Sequence, residues 1–383
     1  MFFNLKFTKM QLSFVSVLCL FFSILTFENT FSQVPPTSAT ERLNGLTQKK
    51  LLREQSLLKD IDFRNIGPSV MSGRIVDISV NPNDPTEFYV AYATGGLWHT
   101  TNNGQSFVPV FDHEDVIGIG AVAVDWLDGA IWVGTGEANS SRSSYAGLGV
   151  YKSVDTGKTW QYLGLPESEH IGKIILDPRN KKTAWVAAIG HLYSPNPDRG
   201  VYKTTDGGLT WQHALFVDDS TGAIDLDINP KNSQELYASM WHRGRSAWNF
   251  VGSGNTSSIY KSVDGGGTWH KITGANTGFP QDQGTGRIGI AVYAGNPQIV
   301  YASLDNQNHR PDTASKKQDT AKYRMEDFKN ITREKFLSLD GKKLDSFFLE
   351  NDFDEKYNDS TVKELVRSGT IKATDLYLSL IHI

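Results

Sequence analysis

The chain has 383 residues, 39% of them hydrophobic and 21% charged, with a formal net charge of -4 and one cysteine. This is the composition of a folded chain, and its charge gives no global pull toward nucleic acid or an anionic membrane surface. Cys19 lies in an apolar N-terminal run. Beyond that run there are no disulfides and no thiolate chemistry, so stability must come from packing.

The first residues read as an export leader. Lys6 and Lys9 precede an apolar stretch from Leu12 to Phe27, and small residues follow near Ser32. The expected leader is 1–32, cut near Ser32–Gln33. Leu18 stands before Cys19 where a lipoprotein signal wants a small residue, which argues against lipidation. The cut chain is expected to be periplasmic, cell-surface or extracellular, with no stable membrane insertion. Residues 33–60 form a lead-in, in which charged, Leu-bearing Glu41–Lys59 predicts a short helix.

From residue 61 to 309 a repeat dominates. Four segments align without gaps: Thr100–Phe107, Ser153–Trp160, Thr204–Trp211 and Ser262–Trp269. Their third residues, Asn102, Asp155, Asp206 and Asp264, recur every 51 to 58 residues (102 to 155, 155 to 206, 206 to 264). An Asp or Asn there accepts hydrogen bonds from its own turn, the glycine two places on tolerates positive φ, and the closing aromatic fills space between sheets. Around each copy the same strands recur. First strands open at Arg74, Ile119, Lys173, Ala223 and Arg287, and four of them end in Asn-Pro or Asp-Pro turns. Second strands follow at 87–93, 130–134, 183–189, 235–240 and 298–304. The third leads into the turn and the fourth leaves it.

These turns resemble the Asp-box, or BNR, repeat S/T-x-D-x-G-x-T-W/F of sialidases, xyloglucanase-type glycoside hydrolases and sortilin-like Vps10 receptors. The resemblance spans about Phe63 to Asn308 and is nearest to exported bacterial glycosyl-hydrolase-like or sortilin-N-terminal-like proteins. It implies an all-β fold, a multi-bladed propeller of four-stranded blades. Four blades are expected complete and a fifth incomplete. The boxes are expected to be structural.

Strand order separates two faces. The first-to-second turns and the boxes share one; the starts of the first strands and the second-to-third loops share the other, where function is expected. There the first strands bring Arg74, Lys173 and Arg287. The loops bring Glu137, Asn139 and Arg142; His191, Tyr193, Asn196 and Arg199; and Trp241, His242, Arg243, Arg245 and Trp248. Forked cations beside aromatic planes suit a sugar, a carboxylate or a peptide. The ligand-binding set is Arg74, Arg142, His191, Trp241, Arg243, Arg245, Trp248 and Arg287, and Arg74, Glu137, Arg243 and Arg287 are expected to line one face.

A glycoside hydrolase needs two facing carboxylates. Of Glu137, Asp198 and Asp305 on this face, Glu137 is the first candidate and Asp305 its partner; an ion pair between Glu137 and a loop arginine is the alternative. In xyloglucanase-type relatives a catalytic Asp stands where this chain has Ala93, so that chemistry lacks its acid. Phe63-Arg64-Asn65-Ile66-Gly67-Pro68 only approximates the opening motif of sialidases. Histidines are scattered without metal-ligand spacing, and no phosphate-cradling loop or nucleophile elbow occurs. No metal or cofactor is expected. Three readings stay open: a carbohydrate-active or carbohydrate-binding propeller, a sortilin-like propeller that holds peptides without chemistry, and, behind both, a sialidase.

After His309 the pattern changes. Residues 310–377 read as a helical insertion in the fifth blade, with Phe328, Phe336, Leu339 and Leu344 at helical spacing. Thr361–Glu364 is read as a capping box and Gly369 as a helix stop. Residues 378–383 resemble a translated sequencing adapter and are expected to be non-native. The incomplete fifth blade is expected to leave a poorly soluble or marginally stable chain.

Overall fold

The computed structural model describes residues 36–61, 73–139, 144–308, 322–351 and 353–378. The leader 1–32, the segment Phe63–Pro68, Arg142 and all but the first residue of the 378–383 tail lie outside the described residues. Among the described residues no helix is long and apolar enough to cross a membrane.

Alternating, turn-punctuated segments form four four-stranded antiparallel sheets, each with its strands in chain order. Blade one is β1 (Ile75–Val80), β2 (Phe88–Tyr92), β3 (Gly96–Thr100) and β4 (Val108–Pro109). Blade two is β5 (Ile119–Asp125), β6 (Ala130–Thr135), β7 (Val150–Ser153) and β8 (Gln161–Tyr162). Blade three is β9 (Ile171–Leu176), β10 (Ala184–Ala188), β11 (Gly200–Thr204) and β12 (Gln212–Leu215). In blade four, β13 (Thr221–Ile228) and β14 (Leu236–His242) are followed by a small hairpin, β15 (Gly244–Arg245) and β16 (Phe250–Val251), which the sequence pattern does not announce. Strands β17 (Ser258–Ser262) and β18 (His270–Lys271) then complete that blade. Strands β19 (Thr285–Val292) and β20 (Val300–Asn306) pair in a two-stranded sheet against blade four. The fourth strands start one residue after the box aromatic rather than on it.

Consecutive first strands lie side by side, so the sheets are arranged radially. The close approach has a sequence cause. A Cβ on Gly172 would sit 2.3 Å from the Ile224 carbonyl oxygen, closer than any side chain permits. Side-chain acids stitch the same seams: Asp77 accepts from Val122 N–H (3.1 Å), and Asp225 accepts from Ile290 N–H (3.0 Å).

The core lies between blades. Tyr89, Leu97, Phe111, Ile131 and Tyr151 fill the first interface; Trp132, Ile171, Ile174 and Val186 the second; Trp185, Leu226, Leu236 and Met240 the third. The boxes lock these layers. Asp155 accepts from Ser153 Oγ (2.8 Å), Thr159 N–H (2.9 Å) and Thr159 Oγ1 (2.6 Å), which closes the turn. These bonds, from the Thr159 hydroxyl above all, hold its carboxyl down at about 2. Asn102 reproduces the arrangement with its amide oxygen. The second, third and fourth boxes are then joined to the preceding blade. Trp160 Nε1–H donates to Val110 O (2.8 Å) and Trp211 Nε1–H to Leu163 O (2.8 Å); Gly265 O accepts from the blade-three Trp185 (3.1 Å).

Ahead of the blades, helix α1 (Ala39–Gln55) starts at Ser38, whose Oγ accepts from Glu41 N–H. The helix belongs to the same compact unit as the sheets.

Residues 309–383 make a second compact unit. It contains α2 (Arg333–Leu337), α3 (Gly341–Glu350), α4 (Asp359–Ser368) and α5 (Asp375–Leu378) around Phe328, Phe336, Leu344, Phe347, Val362 and Val366. Gly369 ends α4 in the left-handed conformation, φ 78°. The cap differs from the expected one: Asn358 is the N-cap and Thr361 closes its box, because Asn358 offers a carbonyl acceptor one turn earlier.

Candidate functional site

The expected site residues that can be located all stand at the end of the sheets opposite the boxes. The boxes are tied to the first-to-second turns by bonds such as Asn103 N–H to Thr86 O and Gly207 N–H to Lys182 O. At the other end, the segment Glu137–Asn139, which follows β6, gathers donors from four directions. Arg74, just before β1, grips both carboxylate oxygens of Glu137. His170, at the entrance to β9, donates from Nδ1 to Glu137 O (2.8 Å). Arg243, after β14, donates to Ala138 O and Asn139 O, each at 2.7 Å. Arg287, in β19, donates to Asn139 Oδ1 (2.8 Å). Ala138, Ile189, Ile224 and Trp241 form a small apolar floor beneath this hub.

The chemistry of the hub is that of an anchor. Glu137 is 0% exposed, and its carboxylate is already engaged by Arg74. This is the ion-pair arrangement, made with Arg74. Asp305 is exposed at the end of β20, where it accepts from Gln307 Nε2 (3.0 Å). Among the described residues no hydrogen bond or ion pair joins it to Glu137. Ala93 is buried immediately after β2, where its N–H donates to Arg74 O.

His170 is buried with a carbonyl acceptor, so Nδ1 carries the proton and the ring is neutral. Burial and the nearby guanidinium of Arg243 push its pKa down to about 3. Burial, with Arg287 and Arg199 alongside, likewise pushes Arg243 below the usual guanidinium range.

Trp241 is not an open platform. Its ring is buried, its Nε1–H donates to Gly252 O (2.7 Å), and the guanidinium carbons of Arg243 and Arg287 lie 4.8 and 5.8 Å from its centroid. Trp248, by contrast, is 71% exposed, and Tyr193 is 49% exposed with Arg245 over its ring.

A second cluster was not singled out from the sequence. The β8–β9 link carries Glu167 and Glu169. His191 Nε2–H donates to Glu167 (2.9 Å), and Arg42 from α1 lies 3.0 Å from Glu167 and 3.6 Å from Glu169. Arg42 also donates to Gly147 O and Pro166 O, and Ala39 N–H at the start of α1 donates to Glu167 (2.7 Å). Burial raises Glu169, with His191 and Arg42 opposing it. In Glu167 burial acts upward too, but the Ala39, His191 and Arg42 contacts win and hold it low. The signal was present as Pro166-Glu167-Ser168-Glu169-His170; fourth-to-first links reach the same face as the second-to-third loops.

Radial four-stranded antiparallel sheets, locked through their third-to-fourth turns and carrying cationic, aromatic loops at the other end, define a β-propeller. The family profile for Sortilin (neurotensin receptor 3), Sortilin-Vps10, matches residues 149–354, more than half of the chain, and the chain belongs to that family. Curated relatives include a xyloglucanase from Paenibacillus sp, 23% identical over 240 residues that cover 57% of this chain and 23% of that protein. Another is a xyloglucanase from Hypocrea jecorina, 28% identical over 242 residues that cover 55% and 27%. The chain thus spans about a quarter of the length of these relatives. Similar solved structures include the GH74 enzyme of Niastella koreensis (TM-score 0.45, 23% identity, 61% of this chain and 34% of that one). YCF48 from Cyanidioschyzon merolae is similar at TM-score 0.38 and 16% identity, covering 63% and 70%.

Proposed function

We propose that the chain belongs to an exported protein, with residues 1–32 as its leader, and that the propeller end opposite the boxes is a glycan-recognition face. One observation carries the reading. The blade-three and blade-four loops hold Tyr193, with Arg245 over its ring, and exposed Trp248 on one end of the sheets, while Glu137 is consumed by Arg74. Aromatic planes with forked donors bind sugar rings through stacking and hydrogen bonds, and a buried, paired carboxylate favours an anchor over an acid–base catalyst. The xyloglucanase relatives support a carbohydrate ligand, and Ala93 speaks against their chemistry here.

The test is a glycan array and a glycosidase screen of the full-length protein beside Trp248→Ala and Glu137→Gln. Binding that weakens about tenfold in Trp248→Ala, without turnover, is the expected result. Turnover abolished by Glu137→Gln would make the protein a hydrolase and overturn the reading. A peptide ligand is the second reading, because a segment of this chain, α1, already lies on the same end through Arg42. Binding of basic peptides, in place of glycans, would select it.

A further inference from the structure

Between the blade-three loop and the β14–β16 segment lies a cavity of about 210 Å³, lined among others by Tyr193, Arg199, His242, Arg243 and Arg245. Among the described residues no carboxylate lines it. Two of its cations are deeply buried: Arg199 is 1% exposed and Arg243 is 0% exposed.

Both are held by neutral acceptors. Arg199 donates through Nη1 to Ser220 O (2.9 Å) and Arg243 O (2.8 Å), and through Nη2 to the carbonyls of His191 and Ser194. Arg243 donates to Ala138 O and Asn139 O. The Nε of each is buried without a hydrogen-bond partner. Glu137, which acts on Arg243 through space, is bound to Arg74. Asp218 and Asp219 help Arg199 only through space, and burial outweighs them. Carbonyl dipoles orient a guanidinium but do not neutralise it, and a desolvated cation is stabilised far more by an opposite charge.

We propose that this cavity is an oxyanion site that takes the carboxylate or sulfate of an acidic sugar. Arg199 and Arg243 supply the fixed positive field. Arg245 and Tyr193 form the rim, where a forked donor meets an aromatic plane. The volume admits one sugar-sized group. This assignment rests on the glycan-face reading and narrows it to acidic glycans.

The test is calorimetric titration of the full chain with glucuronate, glucose 6-sulfate, neutral glucose, inorganic sulfate and a short peptide with a free C-terminal carboxylate. Arg245→Gln is the variant of choice, since Arg199 and Arg243 are buried and their replacement endangers folding. The expected result is binding of glucuronate or glucose 6-sulfate at least about tenfold tighter than glucose, lost about tenfold in Arg245→Gln. The second readout is the Tm rise with sulfate over chloride at equal ionic strength, compared between wild type and Arg245→Gln so that the general stabilisation by sulfate cancels; a smaller rise in the variant is expected, and an equal rise counts against the site. Equal binding of acidic and neutral sugars overturns the oxyanion site and leaves the glycan face standing. No sugar binding at all sinks both. Binding of the peptide carboxylate alone overturns the assignment to sugars.

Discussion

His170 shows how one side chain ties the fold to pH. Its ring is neutral in the native state with a pKa near 3, against about 6.5 when unfolded. The unfolded chain therefore binds a proton below pH 6.5 that the native chain refuses. Stability from this group is complete above pH 6.5 and is lost as pH falls toward 3. At pH 5 the loss is about 2 kcal/mol. His170→Asn keeps an N–H for Glu137 O and does not titrate. Denaturant melts at pH 7 and pH 5 are expected to show the wild type losing that much more than the variant. Glu169 and Asp225, raised by burial, act in the opposite sense, so the comparison with the variant, not the bare slope, is decisive. The residue scale is also where sequence reading reached least. Arginines at 74, 199, 243 and 287 are legible as cations on one end, but their partners are mostly main-chain carbonyls. A carbonyl has no letter in the sequence, so the hub at Glu137–Asn139 could not be read from it. Trp241 was for the same reason indistinguishable from Trp248: an exposed plane and a plane covered by two guanidinium groups are spelled alike.

Among the elements, the strands were legible because the same run recurs in each blade and is punctuated by Asn-Pro or Asp-Pro turns and boxes. The β15–β16 hairpin was not, since it interrupts one blade and has no counterpart in the repeat. Helix α1 was foreseen from its charge and leucines, but its place was not. It lies on the loops of blade two through Arg42, whose partners Glu167, Gly147 and Pro166 are more than a hundred residues away. Arg42→Ala removes an ion pair and two carbonyl bonds that are partly exposed, so the propeller should lose only about 1 kcal/mol. The helix should lose far more of its hold. Limited proteolysis is expected to cut the variant within 39–55 well before the sheets, whereas equal cleavage in both proteins would mean that α1 is held by other contacts.

For the propeller unit as a whole, stability is a property of interfaces. Among the described residues no blade has a private core; the buried Trp132 and Trp185 belong to layers shared between neighbours. That is why the repeat revealed the architecture so fully: a spacing that recurs in sequence is the same interface made again. It also predicts where a small change is costly. Gly172→Ala places a methyl group against the Ile224 carbonyl oxygen, and only a shift of blade three against blade four relieves it. A loss of about 2 kcal/mol or more is expected in denaturant melts. Gly164→Ala, with open space around its Cβ but a φ of 89°, isolates backbone strain as the control.

The indole bonds that join the second, third and fourth boxes to the preceding blade have a direction. Trp160 reaches back to Val110, Trp211 to Leu163, and the box at Gly265 to Trp185. In every case the later blade closes on one already synthesised. As the chain leaves the ribosome, each blade therefore finds its docking surface waiting, and the propeller can be assembled in the order in which it is made.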